Sequence, residues 1–333
     1  TILQILRSKF SLPFKISWRV ALLFLRGFEI INRHLAGMFN LLLQFLIIHR
    51  IKRLCPCRNI QDNKDDKQYI TDKLHWSAYG PSIATADCNN DGYEDIWIGN
   101  SYDQELSESP DNSPVDFYLM INDGDGTFSD FTESSGLDTS TKTFLGASWA
   151  DYDNDQDLDV FVANDLMQDF LFRNEGNGTF TEVSMLVGVA FNEDGQPLNG
   201  MGTSFGDYNN DGNLDLVVTN FQDQPNVLFH NEGNGFFTDL SYSCGIGAKS
   251  LIYLSWGVDF FDYDNDRYLD IFIANGHIDD NIEDFSEVGT YAQRNQLFQN
   301  RGDGTFKEVS PDFGSGLQLR KVSRGMAYGD LDN

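Results

Sequence analysis

Four short apolar runs, each preceded by an acidic loop, set the rhythm of this sequence. They are Ile96-Trp-Ile98, Val160-Phe-Val162, Leu216-Val-Val218 and Ile271-Phe-Ile273. Runs of about five apolar, β-branched residues predict buried strands. Around each run the chain reads as a unit of four strands. Strand one leads into the acidic loop, as in Gly146–Ala150 and Ser255–Phe261. Strand two is the apolar run and ends on Asn, at Asn164, Asn220 and Asn275. Strand three, as in Asn226–Phe229 and Asn295–Phe298, enters a Gly-rich turn, and strand four, as in Phe180–Val183 and Phe306–Val309, leaves it.

The Gly-rich turn recurs as Asn122-Asp-Gly-Asp-Gly-Thr-Phe128, Asn174-Glu-Gly-Asn-Gly-Thr-Phe180, Asn231-Glu-Gly-Asn-Gly-Phe-Phe237 and Asn300-Arg-Gly-Asp-Gly-Thr-Phe306. Asn and Gly at those places permit the left-handed backbone of a tight hairpin. The acidic loops begin at 87, 151, 207, 262 and 330, in steps of 64, 56, 55 and 68 residues. Four-stranded units at this period predict an all-β fold, a β-propeller of four-stranded blades, with about four and a half blades in the chain. In such a meander, connections 1–2 and 3–4 share one face of the disc, and connections 2–3 share the other. Two of the 2–3 connections are long, and their segments Ser101–Val115 and Gly276–Arg294 are the candidate ligand-binding loops.

The acidic loops carry the candidate chemistry. Each has oxygen-bearing side chains at positions 1, 3, 5 and 9: Asp87, Asn89, Asp91 and Asp95; Asp151, Asp153, Asp155 and Asp159; Asp207, Asn209, Asp211 and Asp215; Asp262, Asp264, Asp266 and Asp270. A fifth copy opens at Asp330 and Asp332. Carboxylates crowded into nine residues repel one another unless a cation neutralises them. Hard oxygens at odd positions, with a backbone carbonyl at position 7, suit Ca²⁺, giving about four sites and an incomplete fifth. Position 7 is Tyr93, Asp157, Asn213 and Tyr268, a variety that a carbonyl ligand tolerates. Gly92 and Gly212 ease the turn at position 6, whereas Gln156 and Arg267 depart from Gly and predict tighter or strained loops. An EF-hand needs Glu at position 12 and a helix behind it. Here position 12 is Ile98, Val162, Val218 or Ile273, inside a strand, so an EF-hand is excluded and the ninth-position Asp is left as the bidentate ligand.

Charge divides the chain. The net charge is −28, yet residues 1–60 hold ten Lys/Arg against the single acid Glu29, and residues 61–333 hold 13 basic and 50 acidic residues. A body that acidic repels nucleic acid. Residues 1–60 form a separate, basic and apolar segment with helical spacing. It is read as a helix associated with a membrane surface, as a signal segment, or as a stretch foreign to the repeats. Residues 61–81 are a polar linker and residues 82–333 the repeats. Four cysteines make no disulfide framework in a chain this long: Cys55 and Cys57 form a lone Cys-x-Cys, and Cys88 and Cys244 read as small buried residues. The histidines His34, His49, His75, His230 and His277 show no catalytic or metal-pair spacing.

The repeats resemble the FG-GAP/VCBS repeats of integrin α-chain-type propellers, and more closely those of the cartilage acidic protein family, whose repeats precede an ASPIC/UnbV domain. The phrases that carry this are Val162-Ala-Asn-Asp165, Gly200-Met-Gly202 before Gly206-Asp-Tyr208, Trp256–Asp264, Ala274-Asn-Gly-His277 and Ser323–Asp330. The resemblance implies a seven-bladed ring in the intact protein, extracellular or at the cell surface, and a role in adhesion to a protein or glycan ligand. The alternatives are a propeller-type hydrolase or lyase with a central pocket, and a membrane-tethered receptor ectodomain.

Overall fold

The computed structural model describes residues 82–99, 117–137 and 144–329. The N-terminal segment 1–60, the linker 61–81, the loop 101–115 and the opening of the fifth acidic loop at Asp330 and Asp332 lie outside the described residues. Each of the four sequence units folds as an antiparallel four-stranded sheet. Blade 1 is β1 (Ser82–Ala86), β2 (Asp95–Gly99), β3 (Phe117–Asn122) and β4 (Phe128–Asp130). Blade 2 is β5 (Phe144–Ala150), β6 (Asp159–Asn164), β7 (Phe170–Asn174) and β8 (Phe180–Glu182). Blade 3 is β9 (Gly200–Gly206), β10 (Asp215–Asn220), β11 (Val227–Asn231) and β12 (Phe237–Asp239). Blade 4 is β13 (Ser255–Phe261), β14 (Asp270–Asn275), β16 (Gln296–Asn300) and β17 (Phe306–Glu308); a short ribbon pairs β15 (Gln293–Arg294) with β18 (Arg320–Lys321). Among the described residues, α-helix is confined to single turns after strand four, such as α1 (Ser184–Val187) and α2 (Gly247–Ser250), and a 3-10 turn at Ile282–Asp284 lies in the 2–3 connection of blade 4. No helix among the described residues is long and apolar enough to cross a membrane.

The second strands explain why the apolar runs are continuous. Residues 159–164 and 215–220 are buried at every position. Val160 and Val162 of β6 face a core shared with Trp97, Phe117 and Phe144, while Phe161 and Ala163 face one shared with Leu216, Val218 and Phe229. Val217 of β10 turns to the third core, with Ile271, Ile273 and Phe298. Alternate residues of one strand thus belong to two different blade interfaces. Each fully buried side chain of this kind contributes about 1.5–3 kcal/mol by leaving water. Neighbouring interfaces are therefore stabilised through shared strands.

First strands lie side by side from blade to blade: β1 next to β5, β5 next to β9 and β9 next to β13. The approach is closest at Gly146 and Gly202. A Cβ built on Gly202 would stand 2.1 Å from the Trp256 carbonyl oxygen, and one on Gly146 would stand 2.3 Å from that of Met201. No larger residue fits either position without moving backbone. The architecture is a β-propeller arrangement, with every acidic hairpin between strands one and two.

Candidate metal centre

The four acidic loops share one backbone. Position 4 is Asn in each, and Asn90, Asn154, Asn210 and Asn265 take positive φ values of 58°, 63°, 61° and 61°. Asn tolerates this left-handed region better than most residues. Position 6 is also left-handed, at 89° and 88° for Gly92 and Gly212, and at 79° and 77° for Gln156 and Arg267. The strain expected where Gly is missing is therefore present in the loops of blades 2 and 4.

Hydrogen bonds orient the carboxylates. The first-position Asp87, Asp151, Asp207 and Asp262 each accept the N–H groups of positions 5 and 6, at 2.8–3.1 Å. Asp91, Asp155, Asp211 and Asp266, at position 5, each accept the N–H of position 7 at 2.8–2.9 Å. The ninth-position Asp95, Asp159, Asp215 and Asp270 are all buried. One oxygen of each accepts the N–H of position 2, at 3.0–3.3 Å. The other accepts the N–H of the Asn that opens the Gly-rich turn (Asn122, Asn174, Asn231 or Asn300), at 2.8–2.9 Å. Both oxygens are thereby fixed. In Asp159 and Asp270 each keeps a further lone pair for a cation, whereas Asp95 Oδ2 also takes the Cys88 thiol and Asp215 Oδ1 is also met by His230 Nδ1.

Position 3 divides the loops into two kinds. In blades 2 and 4, carboxylate oxygens of Asp151, Asp153 and Asp159, and likewise of Asp262, Asp264 and Asp270, lie within 4.8 Å of one another. Asp153 Oδ1 is buried with no hydrogen-bond partner, which is the condition a cation relieves. Asp264 Oδ2 accepts from Gln299 Nε2 at 2.8 Å. In blades 1 and 3 the third residue is Asn89 or Asn209, whose amide donates to Asp91 or Asp211 at 2.9 Å. Those loops meet repulsion with an internal hydrogen bond instead. The donor set is all oxygen in every loop, which fits a hard divalent cation such as Ca²⁺.

Electrostatics follow from burial. Burial pushes Asp159 up to about 8 against the Asn174 N–H bond, with Asp153 and Asp155 adding to the rise. It pushes Asp270 up to about 6, opposed by the N–H groups of Asn300 and Tyr263. Asp95 is also raised by burial. Asp215 is raised by burial and held back by the Asn231 N–H and by His230, whose Nδ1 lies 2.9 Å from it. Carboxylates that resist ionisation when alone are stabilised as anions by a bound cation.

Several features were invisible to sequence spacing. Position-7 side chains pack over the first Gly of the Gly-rich turn: a Cβ there would meet Tyr93, Asp157, Asn213 or Tyr268 at 2.5–3.0 Å. Cys88 stands where the loops of blades 2, 3 and 4 have Tyr at position 2, is buried, and donates its thiol to Asp95 Oδ2 at 3.0 Å. His277 is buried; its Nδ1 accepts from Asp279 N–H at 3.0 Å and its ring meets Phe221 edge-on. The candidate ligand loop 276–294 is tied back by His277 N–H to the Tyr291 carbonyl and by Tyr291 N–H to Glu283, and it exposes Phe285 and Val288.

The chain is similar to several known proteins. Cartilage acidic protein 1 of Mus musculus is 26% identical over 183 residues, which cover 52% of this chain and 25% of that protein. The protein of the same name from Xenopus tropicalis is 30% identical over 122 residues, 35% of this chain and 17% of its own length. The chain thus spans a quarter or less of these relatives. Among solved structures, an Agrocybe aegerita lectin that recognises non-reducing terminal N-acetylglucosamine is 19% identical, with a TM-score of 0.40, covering 74% of this chain and 56% of the lectin. The FG-GAP-like repeat matches three overlapping segments, residues 87–162, 151–218 and 207–273, each running from the start of one acidic loop to the end of the next loop's apolar run. Together these segments take in more than half of the sequence, and the chain belongs to the FG-GAP-like repeat family.

Proposed function

We propose that this chain is a calcium-stabilised binding module that works outside the cell. The observation that carries the reading is the meeting of three carboxylates around the unpartnered, buried Asp153 Oδ1. In each loop the side chains of positions 1, 3, 5 and 9 and the carbonyl of position 7 would hold the ion. These are Asp87, Asn89, Asp91, Asp95 and the carbonyl of Tyr93 in blade 1; Asp151, Asp153, Asp155, Asp159 and the carbonyl of Asp157 in blade 2. They are Asp207, Asn209, Asp211, Asp215 and the carbonyl of Asn213 in blade 3; Asp262, Asp264, Asp266, Asp270 and the carbonyl of Tyr268 in blade 4. Asp330 and Asp332 would begin a fifth set. Bound Ca²⁺ supplies positive charge that offsets the repulsion within each hairpin. Binding then contributes to folding stability, because the unfolded chain has no formed site. Exposed, flexible-ligand loops of this type suit affinities on the order of 10⁻⁴–10⁻³ M, matched to extracellular calcium.

The opposite face would carry recognition of a protein or glycan, with residues 276–294 as its best described element. An exposed aromatic on an anchored loop, here Phe285, is of a type enriched at binding interfaces. Calorimetric titration of the full chain with Ca²⁺, paired with thermal melting in chelator, tests the reading. Saturable uptake of several ions and a higher melting temperature with calcium support it. No uptake together with identical melting would refute it.

A further inference from the structure

Position 4 contributes nothing to its own loop's oxygen cage, yet Asn occupies it in every copy. The side chains instead reach the next blade. Asn90 Nδ2 donates to Asp157 Oδ1 at 2.9 Å, Asn154 Nδ2 to Asn213 Oδ1 at 3.3 Å, and Asn210 Nδ2 to the Arg267 carbonyl at 3.0 Å. The acceptors are at positions 7, 7 and 6 of the following loop, on the residue whose carbonyl would be a ligand or the one before it. A second bond runs backwards at each junction. The Gly-turn Asn174, Asn231 and Asn300 each donate Nδ2 to the position-2 carbonyl of the preceding loop, on Cys88, Tyr152 and Tyr208, at 2.8 Å. The backbone N–H of that same Asn holds the ninth-position carboxylate of its own loop. Each junction is therefore closed by two hydrogen bonds, one between successive acidic loops and one from the Gly-turn Asn of one blade to the acidic loop of the blade before it.

We propose that the fourth-position Asn is a positioning residue for the cation site of the next blade, so that calcium sites are coupled in series along the face of the disc. The inference rests on the calcium reading above. Position 4 lies between ligands 3 and 5, so an ion held by those two pins its backbone and directs its amide. The amide then holds the neighbour's position-7 side chain (Asp157 or Asn213) or, for Asn210, its position-6 carbonyl, and so restrains the residue that would offer the carbonyl ligand or the one before it. Linkage makes the effect reciprocal: an ion in the second loop stabilises the first loop's bound state by the same factor.

The test is a double-substitution cycle on the full chain, read by calcium calorimetry. Asn154→Gly removes the amide while Gly accepts the positive φ, and Asn154 is exposed, so the fold is expected to survive. Asp207→Asn disables the loop of blade 3. Asn154→Gly should weaken one calcium step by about fivefold, and that weakening should vanish in the Asp207→Asn background. The same cycle with Asn90→Gly and Asp151→Asn repeats the test one blade earlier, and melting of each variant verifies folding. Unchanged calcium steps in Asn154→Gly would overturn the coupling while leaving calcium binding intact. So would a loss that persists with Asp207→Asn, since Asn154 would then serve its own loop. Absence of calcium uptake by the unsubstituted chain would overturn both readings.

Discussion

The hairpins of blades 2 and 4 and those of blades 1 and 3 use one backbone but answer the same electrostatic problem in opposite ways. Blades 1 and 3 place Asn at position 3 and Gly at position 6, so charge is lower, the amide bonds to its neighbour, and the left-handed turn is unstrained. Blades 2 and 4 place a third converging carboxylate at position 3 and a non-Gly residue at position 6. Holding Gln156 or Arg267 left-handed costs about 1–2 kcal/mol, and the extra anion raises the repulsion. The second kind of loop is less stable empty and more strongly attractive to a cation. Strain and charge thus fall in the same two loops, so under the proposed calcium reading those would be the more calcium-dependent of the four described blades.

The largest expected effect comes from the ninth position, common to both kinds. Asp159→Ala removes a ligand and strands the N–H groups of Tyr152 and Asn174; in calcium it should cost about 2–4 kcal/mol and abolish one binding step. Asp270→Ala should behave alike, and denaturant melts with calorimetry measure both. Next is the interchange at position 3. Asp153→Asn should weaken its site about tenfold, and Asn209→Asp should strengthen the blade 3 site, each a change of about 1.4 kcal/mol. Equal calcium affinities before and after both substitutions would erase the distinction between the two kinds of loop.

The pH dependence sharpens the comparison further. With its carboxyl pushed up to about 8 in the metal-free fold, from an ordinary value near 4, Asp159 favours the protonated native state. Metal-free stability from this group is present at low pH and is lost as pH rises toward 8. Calcium must displace that proton, so uptake near pH 7 should release protons and tighten as pH rises to about 8. Titrations in buffers of different ionisation enthalpy would reveal the release, and Asp159→Asn should remove it. Smallest is the turn itself. Gln156→Gly should stabilise the metal-free protein by about 0.5 kcal/mol, the relief of strain less the greater unfolded-state entropy of Gly. Gly212→Gln should do the reverse, as chelator-treated melts would record.

Most of the fold was legible in the sequence because both of its signals are local. Strand two of blades 2, 3 and 4 ends at Asn164, Asn220 and Asn275, where the pattern puts it, since an apolar run buried on both sides leaves little freedom of register. The left-handed turns were legible from Gly and Asn. What spacing could not supply were bonds between residues far apart in sequence. Asn231 reads as a turn residue, yet its amide reaches Tyr152, 79 positions away in the previous blade. The fourth-position Asn was visible as a repeated letter, but its acceptor is known only once blades are side by side. The ribbon of β15 with β18 likewise joins two segments with no shared periodicity. Oxygen spacing pointed to the cage residues, whereas the difference between the two kinds of loop emerged only with the clustered carboxylates of blades 2 and 4.

The most direct test of the cation cages is calcium uptake by the full chain, measured by equilibrium dialysis beside its melting temperature. The account predicts saturable binding of several ions per chain, with the tightest steps lost in Asp153→Ala and Asp264→Ala, and a melting temperature that falls when the ions are chelated. Melting unchanged by chelation, with no ion retained after dialysis, would contradict it.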